Sequence, residues 1–184
     1  MGQIIVRGSI GDIMYQQNVP FELAVLNCQY LVLVDTSASM SARTQSLNTR
    51  YEAAREQLKR LQNSLPGKVL LASFSNTFKL CPNGIPEEPS GGTELAVAFQ
   101  EIMEASLHEL VEKIIVISDG QPNAPQRALE WANKIRRVCP IESIFIGDEG
   151  DEGYFFMQKL SSGKSFVVDA NDLGQPLKLL TSGQ

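Results

Sequence analysis

Three short polar motifs in this 184-residue chain carry side chains that could together hold a metal ion. They are a D-x-S-x-S pattern, the segment GGTE and the segment SDGQP, which supply Asp35, Ser37, Ser39, Thr93 and Asp119. The set contains two carboxylates and three hydroxyl groups, with no histidine and no cysteine. Oxygen ligands alone favour a hard cation, Mg²⁺ first with Mn²⁺ or Ca²⁺ as alternatives, and disfavour zinc and copper.

Each motif taken alone has a simpler structural interpretation. A serine-rich turn often caps a helix, Thr93 suits a helix N-cap, and Asp119-Gly120 suits a turn. Their order along the chain, each at the end of a predicted strand or the start of a predicted helix, favours one metal site. Because Mg²⁺ takes six ligands and usually keeps waters, an open position would remain for an outside carboxylate.

Apolar runs predict the strands that must position these motifs. Nearly continuous branched apolar residues are typical of strands that are covered on both faces of a parallel sheet. The predicted core strands are 30–34, 69–74, 114–118 and 141–146, with a further strand at 165–169 and a short edge strand at 77–81.

The segments between the predicted strands show the periodicity of helices. Apolar residues three or four positions apart predict helices at 51–65, 95–111, 125–139 and 154–160, and a short one at 176–180. This alternation predicts an α/β fold: a doubly wound, mostly parallel six-stranded sheet flanked by helices, with a short antiparallel edge strand. Residues 1–28 do not fit the alternation, and we expect an N-terminal β extension that packs on a domain formed by residues 29–184.

The predicted topology brings the three motifs together. Asp35 and Asp119 each follow a core strand, and parallel strands have their carboxyl ends on one face of the sheet. Ligands bind outside those ends, at the point where the strand order reverses. Thr93 opens the helix that leads to the Asp119 strand, so we expect it on the same rim.

With the segments VLLASFSNTF and IFIGDEGDEGYFFMQKLSSGKSFVVD, the three motifs resemble the von Willebrand factor A domain family over about residues 29–180. The resemblance implies a Rossmann-like fold and a complete metal-ion-dependent adhesion site. In such a site Ser37 and Ser39 bind the metal directly, and Thr93 does so in the ligand-bound state. Asp35 and Asp119 act partly through water. The segment 41–50 is longer than the family's usual link and would lie on the metal rim.

The resemblance also implies a function. The chain would be a non-enzymatic interaction module that binds an Asp or Glu of a protein partner through the metal. Bacterial relatives work with AAA+ ATPases or with proteins encoded by neighbouring genes. Two other functions stay open: a metal-dependent phosphohydrolase, and a scaffold whose metal is purely structural. Against the phosphohydrolase, no Lys or Arg is clearly placed to clamp a phosphate, and Asp35 lacks a second carboxylate two residues on.

Composition narrows the class of protein. A net charge of −5 disfavours nucleic-acid binding, because few basic residues remain to neutralise phosphates. No apolar run reaches the roughly 18 residues of a membrane span, and no signal peptide is visible. The widely spaced Cys28, Cys81 and Cys139 favour structural thiols in a reducing compartment, so we expect a cytoplasmic protein without a membrane partner. The single histidine, His108, is expected on the surface.

Overall fold

The computed structural model describes residues 4–44 and 47–182. Residues 1–3 of the predicted N-terminal extension, residues 183–184 of the predicted domain and residues 45–46 of the segment 41–50 lie outside the described residues. Six strands of the described chain form one sheet. They are β1 Tyr30–Asp35, β2 Val69–Phe74, β3 Phe78–Leu80, β4 Lys113–Ser118, β5 Ile141–Ile146 and β6 Ser165–Val168.

Seven α-helices occur in the described residues: α1 Ile10–Gln17, α2 Phe21–Ala24, α3 Arg50–Ser64, α4 Leu95–Glu104, α5 Pro125–Ile135, α6 Glu152–Leu160 and α7 Gly174–Thr181. Short 3₁₀ turns lie at Val25–Asn27, Ala38–Ser41, Leu107–Glu109 and Ala170–Asp172. In the described part of the chain, no helix combines the length and the apolar character needed to cross a bilayer.

The sheet has the order β3-β2-β1-β4-β5-β6. All neighbouring strands are parallel except β3, which pairs antiparallel with β2 at the edge. The predicted doubly wound sheet with an antiparallel edge strand is therefore confirmed. Since the chain moves from β1 outward to β2 and later returns to β4 on the other side, the strand order reverses at β1.

Alternating residues of the buried strands pack into two separate cores. In β1, Leu31 and Leu33 face a core that includes apolar residues of α1, α2, α4, α5 and α6. Val32 and Val34 face the opposite core, formed with α3 and α7. Helices therefore cover the central strands on both faces, which leaves the strand ends as the natural place for polar chemistry.

The predicted N-terminal β extension is wrong. The described residues before β1 contain two helices and a 3₁₀ turn, and no strand. The Ser9 hydroxyl caps α1 by accepting from the Asp12 backbone N–H, and Ile10, Ile13 and Met14 pack on the core from one helical face. That i, i+3, i+4 spacing is helical, but Gly8 before it and Gly11 within it suggested the turns of short strands.

The second predicted long helix is shorter than its apolar pattern suggested. Ser106 adopts a left-handed backbone with φ of 52°, which ends α4 before Leu107. The chain then turns inward and buries His108, whose Nδ1 lies 3.4 Å from the Ile102 carbonyl oxygen. The expectation of a surface histidine is therefore wrong, because it assumed that a continuous helix carried His108 on its polar side.

The three cysteines are buried free thiols, as predicted. Burial raises the pKa of Cys28 and of Cys139 to about 11, since the surrounding apolar groups disfavour a thiolate. A thiol with so high a pKa is a weak nucleophile, so these residues serve the packing of the core.

Candidate metal centre

Asp35 ends the central strand and is fully buried. β1 and β4 run side by side with Val34 opposite Ile117, which brings Ser118 beside Asp35. The Ser118 hydroxyl donates to Asp35 Oδ2 at 2.6 Å, and the Ser37 backbone N–H donates to Asp35 Oδ1 at 2.7 Å. The carboxylate is thereby held in one orientation, and it fixes the start of the loop that follows.

Asp119 joins this group through the two serines of the same loop. The Ser39 hydroxyl donates to Asp119 Oδ1 at 2.7 Å, and the Ser37 and Ser39 hydroxyl oxygens are 2.9 Å apart. Ser37 and Asp119 are buried, whereas Ser39 is exposed and marks the open side of the cluster. Four of the five predicted metal ligands therefore form one connected polar network.

Thr93 lies on the same rim because backbone hydrogen bonds join its loop to the others. Ala38 N–H donates to the Gly91 carbonyl at 3.1 Å, and Asn123 N–H donates to the Thr93 carbonyl at 3.0 Å. Thr93 is buried, and within the described residues its hydroxyl forms no hydrogen bond. Glu94, not Thr93, is the N-cap of α4, so the capping interpretation of this threonine is not supported.

The glycine pair before Thr93 has a local structural reason. Gly91 has φ of 71°, and a Cβ atom there would lie 2.5 Å from Asn76 Nδ2. Asn76 Oδ1 also accepts from the Gly92 backbone N–H at 2.8 Å. Only glycine permits this close, left-handed path, which delivers Thr93 to the rim.

Arg50 is a member of the site that sequence reasoning missed. Its Nη1 donates to Asp119 Oδ2 at 2.8 Å, with the Asp119 side chain fully buried and about a third of the Arg50 side chain exposed (32%). Arg50 is the first residue of α3, whose capping box between Thr49 and Glu52 fixes the helix start. That T-x-x-E signal in the sequence could have located Arg50 at the rim.

The described residues of the loop 41–50, namely 41–44 and 47–50, pair with one another at this rim. Arg43 and Thr49 form an isolated antiparallel bridge, and Arg50 N–H donates to the Ala42 carbonyl at 2.9 Å. These contacts explain why the first residue of α3 lies next to the D-x-S-x-S loop although the connection between them is long.

The electrostatics of the site centre on two neighbouring carboxylates. Burial raises the pKa of Asp35 from its ordinary value of 3.8 to about 6, hydrogen bonds from Ser118 and Ser37 oppose this shift, and the charge of Asp119 adds to it. A buried carboxylate with a raised pKa lacks compensating positive charge. A cation at this place would supply it.

The donor set fits a small hard cation. Neighbouring ligands in an octahedral Mg²⁺ site with bonds of about 2.1 Å lie about 3 Å apart. The oxygen–oxygen separations of 2.9 Å between Ser37 and Ser39 and 2.7 Å between Ser39 and Asp119 are close to this value. No three His, Cys, Asp or Glu side chains of the described residues cluster as metal ligands, so the candidate depends on its hydroxyl groups.

A cleft of about 300 Å³ adjoins the site on the Arg50 side. It is lined by Arg43 and Arg50 on one side and by Asp148 and Asp169 of the loops that follow β5 and β6. Asp148 belongs to an acidic loop after β5 in which Asp148, Glu149 and Asp151 are all exposed.

Comparison with known proteins supports the fold. No protein-family model and no curated protein sequence matches the chain. Solved structures do match: proximal thread matrix protein 1 from the mussel byssus has a TM-score of 0.68 at 18% identity, over 84% of this chain and 47% of that one. A von Willebrand factor type A structure from Catenulispora acidiphila has a TM-score of 0.67 at 14% identity, over 85% of this chain and 42% of that one.

The chain has a von Willebrand factor A fold. Manganese-loaded TRAP protein of Plasmodium vivax is also similar, with a TM-score of 0.58 at 19% identity over 83% of this chain and 72% of that one. This chain thus spans less than half of the mussel and Catenulispora proteins. At such low identity, the similarity establishes the fold alone.

Proposed function

We propose that this protein is a metal-dependent protein-interaction module. Asp35, Ser37, Ser39, Thr93 and Asp119 would hold a divalent cation, Mg²⁺ first, and the partner would contribute an Asp or Glu. The observation that carries the proposal is the connected Ser37–Ser39–Asp119 network of short oxygen contacts, 2.9 and 2.7 Å long, beside the fully buried Asp35. When bound, the cation would provide a positively charged coordination position for the partner's carboxylate.

Each residue of the proposed site has a different structural role. Asp35 anchors the D-x-S-x-S loop by accepting from Ser37 N–H and Ser118. Ser37 and Ser39 present hydroxyl oxygens. The Thr93 hydroxyl, which forms no hydrogen bond within residues 4–44 and 47–182, would be a further neutral ligand. Ser39 is exposed, so a partner would approach from its side of the rim.

A direct test is binding of Mn²⁺, followed by electron paramagnetic resonance or titration calorimetry. Mn²⁺ is a suitable probe because a protein of the same fold has been crystallised loaded with manganese. The unchanged protein should bind one equivalent, and Asp119→Ala should bind none. Glu142→Gln is the matched control, because Glu142 is a buried carboxylate elsewhere in the sheet. Equal Mn²⁺ affinity of the Asp119→Ala and control proteins would contradict the proposed site.

The partner requires a second experiment. Proteins captured with Mg²⁺ and released by EDTA should be absent when Asp35→Ala or Asp119→Ala is the bait. An AAA+ ATPase and the product of a neighbouring gene are the first partners to test. Replacement of the partner's acidic contact residue by its amide should then abolish binding. Capture that persists in EDTA would leave a scaffold function as the better explanation.

A metal-dependent phosphohydrolase is the second candidate, and Arg50 favours it. Sequence reasoning found no cationic residue to clamp a phosphate, yet the structure puts a guanidinium on Asp119. Arginine is well suited to bind phosphate oxygens. Mg²⁺-dependent turnover of p-nitrophenyl phosphate that is lost in Asp35→Asn and in Arg50→Gln would support this activity over the interaction module.

A further inference from the structure

Asp119 has both carboxylate oxygens engaged in the structure, one of them by a cation. Oδ1 accepts from the Ser39 hydroxyl, and Oδ2 accepts from Arg50 Nη1 at 2.8 Å. The Asp119 side chain is fully buried and that of Arg50 is about a third exposed. The guanidinium therefore already neutralises one of the two carboxylates of the proposed metal site.

A divalent cation and the Arg50 guanidinium compete for this carboxylate. Both are attracted to Asp119, and two cations held at the same carboxylate repel each other. A metal ligand set that contains Asp119 is thus at its most favourable when Arg50 moves away.

The structure contains a place to which Arg50 could move. Its side chain also lines the cleft of about 300 Å³, which Asp148 and Asp169 border as well. Within the described residues, no ion pair joins Asp148 or Asp169 to a basic group. Asp169 Oδ1 already accepts from the backbone N–H and from Nδ2 of Asn171. Its Oδ2 and the Asp148 carboxylate are therefore the acceptors that a displaced guanidinium could reach.

We infer that Arg50 is a resident counter-cation that holds the metal site closed and sets its metal affinity. In the metal-free protein it stabilises buried Asp119; when the metal binds, it shifts toward the cleft. This inference rests on the proposed function, since it concerns the same site. Because Arg50 competes with the metal for Asp119, it would raise the metal concentration at which the site fills.

The test compares Mn²⁺ affinity among three variants by titration calorimetry, with no partner present. Arg50→Gln removes the charge and should bind Mn²⁺ about tenfold more tightly than the unchanged protein, by a Coulomb estimate in high dielectric. Arg50→Lys keeps the charge and should stay within about threefold of the unchanged protein. Arg55→Gln is the matched control, because Arg55 lies five residues along α3 in an exposed ion pair with Glu88.

Thermal unfolding gives a second readout, independent of the titration itself. In EDTA, Arg50→Gln should lower the Tm relative to the Arg55→Gln control, because Asp119 is left buried without its cation. Saturating Mn²⁺ should then raise the Tm of Arg50→Gln by more than it raises the Tm of the control.

The outcomes separate this inference from the proposed function. If the unchanged protein binds Mn²⁺ and Arg50→Gln binds no more tightly than Arg55→Gln, the inference fails and the metal site stands. If only Arg50→Gln binds Mn²⁺, the inference is supported in its strongest form. If neither binds, both are overturned.

Discussion

Two buried carboxylates at opposite ends of the same sheet have very different surroundings. Glu142 is the second residue of β5, at its amino end, whereas Asp35 closes β1 at the carboxyl end. Glu142 Oε2 accepts from the Ser161 hydroxyl and from the Lys164 backbone N–H, so it pins the loop between α6 and β6. Among residues 4–44 and 47–182, no second carboxylate takes part in that network.

At the carboxyl end, by contrast, two carboxylates share one network. Asp35 and Asp119 are linked through Ser37 and Ser39, and Arg50 balances only one of the two charges. A single carboxylate can anchor a loop, as Glu142 does, without an external cation. Two buried carboxylates together are costly unless another positive charge is supplied, and the difference between the two ends therefore points to a site for a cation.

The largest expected effect is the rise in Tm caused by Mg²⁺, which should depend on Asp119 at the carboxyl end of the sheet and not on Glu142 at the amino end. Saturation at about a hundred times the Kd stabilises a protein by about 2.7 kcal/mol, which raises Tm by about 5–10 °C for a domain of this size. The unchanged protein and Glu142→Gln should both show this rise in scanning calorimetry. Asp119→Asn should show none, and a rise of the same size in that variant would remove the distinction between the two ends.

Glu142→Ala should weaken the fold without touching metal binding. The Ser161 hydroxyl and the Lys164 backbone N–H would lose their acceptor, which costs about 2 kcal/mol of unfolding free energy. Urea denaturation followed by circular dichroism measures this loss. A change below about 0.5 kcal/mol would show that water replaces the carboxylate there and that Glu142 is not a loop anchor.

Asp35→Asn should stabilise the metal-free protein at pH 7, the opposite of the Glu142 result. The pKa of Asp35 is about 6 in the fold against an ordinary 3.8, so the folded protein holds this proton more tightly than the unfolded chain does. Its unfolding free energy therefore falls as pH rises from about 4 to about 6. The asparagine variant has no charge to bury and does not lose this free energy. Its hydrogen bonds are weaker than those of the carboxylate, so we expect a net stabilisation of about 1 kcal/mol at pH 7.

Urea denaturation in EDTA at pH 4 and pH 7 tests whether Asp35→Asn is stabilised or destabilised relative to the unchanged protein. The stabilisation of Asp35→Asn over the unchanged protein should be present at pH 7 and small at pH 4. A variant that is destabilised equally at both values would mean that Asp35 is a purely structural anchor like Glu142.

Thr93→Val is expected to have the smallest effect on stability. Since the Thr93 hydroxyl forms no hydrogen bond within the described residues, the metal-free protein should change by less than about 0.5 kcal/mol. Mn²⁺ affinity should nevertheless fall about tenfold, because one neutral ligand is removed. Loss of stability with unchanged Mn²⁺ affinity would assign Thr93 to the loop and not to the metal.

The strand bounds followed closely from local pattern. Branched apolar runs predicted both bounds of β2 and of β5 correctly, because a strand covered on both faces must be apolar throughout. The predictions missed the last residue of β1 and the first residue of β4. The grouping of Asp35, Ser37, Ser39 and Asp119 also followed from sequence, because each lies where a strand ends. Metal binding by these residues stays a prediction.

What the sequence by itself determined is the order of strands and helices, the parallel sheet and the rim on which the five oxygen donors lie. These features depend on local periodicity and on a general rule of parallel topology. Only the tertiary structure decided which polar groups meet across the rim: Ser118 with Asp35, and Arg50 with Asp119, 69 residues apart in the chain. It also decided that residues 10–17, 21–24 and 25–27 form helical segments and that His108 is buried. Such contacts depend on where distant segments pack, and no pattern within one segment records that.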